Sequence, residues 1–108
     1  MVEFDEFLNT LKDGVLDLAK QGLKGFREEA LKDGQNFLEK SKEDLRRWTK
    51  LLASGELSQE DFEFLVLSKK DVAEMHALKQ AGLALVRIDR FKSGLLNLVI
   101  ETAFDVFI

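Results

Sequence analysis

Phe4, Val15, Phe26, Phe37 and Trp48 recur at a spacing of eleven residues. Eleven residues make three helical turns at about 3.67 residues per turn, close to the α-helical 3.6. The five large side chains therefore line one nearly straight stripe. Leu8, Leu11, Ala19, Gly22, Ala30, Ser41 and Leu52 fall on neighbouring parts of the same face. A strict heptad would drift away from this pattern, so a left-handed coiled coil fits it less well. Proline is absent, so no residue forces the helix to stop.

The ends of this segment suit one helix over about residues 3–54. Glu3, Asp5 and Glu6 lie near its start and Arg46, Arg47 and Lys50 near its end, as the helix dipole favours. Gly55 follows as a left-handed terminator. In Leu57 to Phe62, "LSQEDF", Ser58 is an N-cap candidate with Asp61 at N3 and Leu57 opposite Phe62, a capping box with its hydrophobic staple.

A second helix over about 58–107 follows from Phe62, Leu65, Val72, Met75, Leu78, Leu85, Ile88, Leu95 and Val99 at helical spacing. Its last turns carry a thin polar stripe of Asn97, Glu101 and Asp105. Asp33-Gly34 has turn chemistry, but the stripe crosses it in phase, so continuity is expected. Leu83 to Phe91 alternates partially; with no second strand to pair with, it is read as helix.

Length suits a single helical domain, 1–108. The fold class expected is all-α: a long antiparallel hairpin that dimerises into a four-helix bundle. Its register places Trp48 near Glu63, Phe26 near Leu85, Val15 near Leu96 and Phe4 near Phe107. Gly14, Gly22 and Gly25 would face large residues of the second helix. Two helices alone leave the apolar terminal end wet, so a homodimer contact is predicted through Phe4, Phe7, Leu95, Val99, Phe104 and Phe107. The alternative is a monomeric bundle of four shorter helices, broken near Asp33-Gly34 and Gly82.

Several chemistries find no support in the sequence. There is no Cys, which excludes disulfides and thiolate chemistry. His76 is the single histidine, and no Glu-x-x-His pair exists for a di-metal bundle. No phosphate-binding glycine loop or serine triad signature is present. No cofactor, metal site or enzymatic activity is expected. A net charge of −4 disfavours nucleic acid, and the basic residues around Trp48 are interrupted by Glu39, Glu43 and Asp44. The terminal apolar run would span only about 22 Å as a helix, too short for a membrane. The acidic N-terminus does not look like a signal peptide, so a cytoplasmic location is expected.

The leading functional expectation is a small non-enzymatic, self-associating protein-protein interaction or assembly module. The alternative is reversible binding to a lipid or hydrophobic-granule surface through the Phe4–Trp48 stripe. The eleven-residue period resembles that of exchangeable apolipoproteins and of some desiccation-protection proteins; the resemblance covers residues 4–48 and is one of period alone.

Overall fold

The computed structural model describes residues 2–108. Its elements are α1 (Val2–Gly22), α2 (Arg27–Ser54), α3 (Gln59–Leu67), a 3₁₀ turn (Ser68–Val72), α4 (His76–Gln80) and α5 (Leu85–Phe107), with no strand among the described residues.

The chain is all-helical and folds as antiparallel legs. α1 and α2 pack head to tail: the Arg46 guanidinium lies 4.7 Å over the Phe4 ring at one end, and Gly34 faces Val15 further along. α5 runs back along α1, with the Phe7 and Phe107 rings 5.5 Å apart and Gly14 beneath Leu98. The remaining leg is composite, built from α3, the 3₁₀ turn and α4. It packs against α5 through Phe62 and Phe104, 6.0 Å apart, and through an ion pair between Lys70 and Asp89 at 3.0 Å. It also packs against α2, where Lys69 pairs with Asp44.

Local chemistry sets the ends of these legs. α2 stops at Gly55, whose φ of 81° is left-handed and whose N–H donates to the Leu52 carbonyl at 3.2 Å. Ser58 then caps α3: its Oγ accepts from the Asp61 N–H at 3.0 Å. Gly82, at φ 86°, closes α4 and turns the chain into α5.

Two uninterrupted helices over 3–54 and 58–107 are not what the chain forms. Each would be roughly 75 Å long, yet the longest dimension of the molecule is 42 Å. The first is broken at Leu23–Phe26, where Gly25 adopts φ 89° and the Phe26 N–H returns to the Leu23 carbonyl at 2.8 Å. The second is broken between Ser68 and Ala84. At Asp33-Gly34, by contrast, the helix continues, because both residues serve tertiary contacts. Gly34 lets Val15 approach, and Asp33 is buried with its carboxylate turned toward α4.

The core is continuous through all the legs. Phe4, Phe7, Leu11, Val15, Leu45, Phe62, Met75, Leu78, Leu95 and Val99 are among its fully buried members. Each such side chain contributes about 1.5–3 kcal/mol relative to an exposed one. Most apolar side chains near the ends of the sequence are therefore covered within the chain, while Ile108 stays 64% exposed.

Candidate functional site

Folding in this way decides which apolar groups are left for a partner. Of the residues expected to form a dimer contact, Phe4, Phe7, Leu95 and Val99 are buried inside one chain. They belong to the continuous core of the chain rather than to its surface. Phe104 and Phe107 are half-buried against the same core, on Phe62 and Phe7 respectively. The sequence pattern locates apolar faces but not the elements that cover them. Here groups of the same chain lie against them: the Arg46 guanidinium over Phe4 and the Phe107 ring against Phe7.

The eleven-residue stripe meets the same fate. Phe4, Val15, Phe37 and Trp48 are buried and Phe26 is half-buried. A lipid surface could reach this stripe only if the bundle opened.

Besides Ile108 and Leu16, the large apolar side chains that remain outside lie on α3 and at the start of α5. Phe64 on α3 is 72% exposed, and Leu67, one turn further on, is also exposed. At the start of α5, Leu85 is 75% and Val86 61% exposed. Sequence reasoning did not single out Phe64, which falls out of phase with the inward-facing Phe62–Leu65 row. Leu85 belongs to that row by spacing yet points to water, because the break before α5 resets the phase.

A small recess adjoins this region of α5. Leu18 of α1, Leu23 of the α1–α2 connection and Arg87, Arg90 and Phe91 of α5 line a cavity of about 170 Å³. The Arg87 guanidinium stands 6.0 Å from the Phe26 ring centre.

Some charged groups elsewhere have structural partners. Asp44 accepts from Lys69 and, at 2.9 Å, from Arg47. The hydrogen bond from Lys69, with smaller Coulombic help from Lys69 and Arg47, holds its carboxyl below the usual carboxylate value. Lys69 also lies 5.4 Å over the ring of the buried Trp48, so a cation of this chain already occupies that ring face. His76 is exposed and paired with Glu74. Among the described residues, no group of three His, Cys, Asp or Glu is placed to hold a metal ion, and no helix is long and apolar enough to cross a membrane.

Comparison of the chain with protein-family models, with curated proteins and with solved structures found no match. The functional reading therefore rests on the surface itself.

Proposed function

We propose that this chain is a non-enzymatic helical interaction module that self-associates. The carrying observation is the exposed ring of Phe64, together with Leu67, on a short helix whose opposite side is fully used by the core. An isolated exposed apolar residue is ordinary. Two aligned on one helix face, including a phenylalanine with most of its area in water, favour association. Aromatic side chains are the usual anchors of such contacts. Two of the polar groups buried in the bundle support the same reading, since their partners serve the fold: Thr49 donates to the Leu45 carbonyl at 2.7 Å, and Asp33 caps α4.

The test is solution mass against concentration, by sedimentation velocity on the full chain from micromolar to millimolar. A mass that rises with concentration in the wild type and stays at one chain in Phe64→Asp supports the reading. A wild type that remains a single chain throughout would remove it.

A further inference from the structure

The cavity between α1 and α5 and the exposed ring on α3 complement each other. An apolar cavity of about 150 Å³ accepts a benzene ring, so the recess of about 170 Å³ lined by Leu18, Leu23 and Phe91 has room for one phenyl side chain. Two of its five lining residues, Arg87 and Arg90, are cationic, in a chain whose net charge is −4. Arg90 is exposed and stands in no ion pair among the described residues.

The ring has the opposite surroundings. Glu60 and Asp61 lie one turn before Phe64, on its side of α3, because residues three and four apart share a helix face. Both acids are exposed, and neither is in an ion pair among the described residues. Two such faces brought together would oppose acid to acid. An acid-flanked ring entering an arginine-lined recess has both shape and charge in its favour.

We propose that Phe64 of one copy seats in the Leu18–Leu23–Phe91 recess of a second copy, with Glu60 and Asp61 facing Arg87 and Arg90. This rests on the self-association reading above and names its two surfaces. The plug and the socket are different patches of the chain, so the contact is isologous only when both copies exchange plugs and heterologous otherwise. It closes into a pair if a twofold axis lets both copies exchange plugs, and otherwise extends into rows.

A charge-exchange experiment tests the contact on full chains by sedimentation velocity. Arg90→Glu places acid against the acidic plug; Glu60→Lys with Asp61→Lys places base against the basic socket. Each variant alone should associate at least about tenfold more weakly than wild type, the scale of one displaced aromatic anchor. An equimolar mixture should recover association, since the lysine plug now fits the glutamate socket and the unaltered plug fits the unaltered socket. Phe64→Ala should weaken association without altering charge, and circular dichroism checks that every variant keeps its helices. Variants that associate like wild type, or a mixture no heavier than its components, would overturn this contact while leaving self-association intact. A wild type that never associates would overturn both.

Discussion

The Asp33 carboxylate of α2 accepts the backbone N–H of Leu78 at 2.8 Å through Oδ2, and that of Ala77 at 3.0 Å through Oδ1. A residue in the second turn of one helix thus caps the start of another, 45 positions away in sequence. α4 has no cap of its own: Met75 precedes it without a side-chain bond. The buried carboxylate and the orphan amides of a five-residue helix satisfy one another.

Asp33→Ala should therefore cost roughly 1–3 kcal/mol in urea unfolding, the scale of leaving buried polar groups unpaired. The loss should be local first. Hydrogen exchange at Ala77 and Leu78 should accelerate more than exchange in α1. Unchanged exchange at those two amides would show that the cap does not hold α4.

Gly34→Ala and Gly14→Ala should differ, although both raise helix propensity by about 1 kcal/mol. A Cβ at Gly34 would sit 2.6 Å from Val15 Cγ1, on a β-branched, wholly buried side chain that has few other rotamers. A Cβ at Gly14 would sit 2.7 Å from Leu98 Cδ1, at the tip of a half-buried, flexible side chain that can turn away. Thermal unfolding should show Gly34→Ala destabilised by about 1–3 kcal/mol and Gly14→Ala near neutral. The reverse order would contradict the packing described between α1 and α2.

Ser58→Ala removes the side-chain acceptor for the Asp61 N–H. It should cost about 1 kcal/mol, measured by denaturant unfolding, while Ser58→Asp should retain most of the wild-type stability.

This cap was legible from six residues, as was the left-handed Gly55, because both depend on neighbours in sequence. The pairing of the two chain ends was nearly in register: Phe4 was expected near Phe107, and Phe7 is its ring partner. Apolar spacing also located the core, since Met75 and Leu78 are fully buried. What spacing could not reveal was continuity. Leu23–Phe26 breaks the first long helix within four residues, and the stripe resumes beyond it. The Asp33-Gly34 pair looks like a turn but serves α4 and Val15, two contacts invisible to a local reading. The exposed surface was missed for the same reason: which apolar face stays wet depends on where the third leg lies.

Acid should weaken the contact between α2 and the composite leg. The Asp44 carboxyl is held below its usual value by Lys69 and Arg47. A group whose folded value is depressed contributes stability above its unfolded value and loses it as pH falls through the folded one. Wild type should thus exceed Asp44→Asn in stability at neutral pH, and the gap should close in strong acid. High salt should narrow it too, because the pair is partly exposed and screened. A gap independent of pH would show that the carboxylate's charge is not what matters there.

The account as a whole turns on which apolar residues face inward and which face a neighbour. Parallel measurement of solution mass and helicity for Leu95→Asp and Phe64→Asp addresses it directly. Leu95 is fully buried and Phe64 largely exposed, so Leu95→Asp should lose helical circular dichroism and cooperative melting, whereas Phe64→Asp should keep both and sediment as a single chain. A well-folded, dissociated Leu95→Asp beside a Phe64→Asp with unchanged mass would contradict it, placing the interface at the chain ends instead.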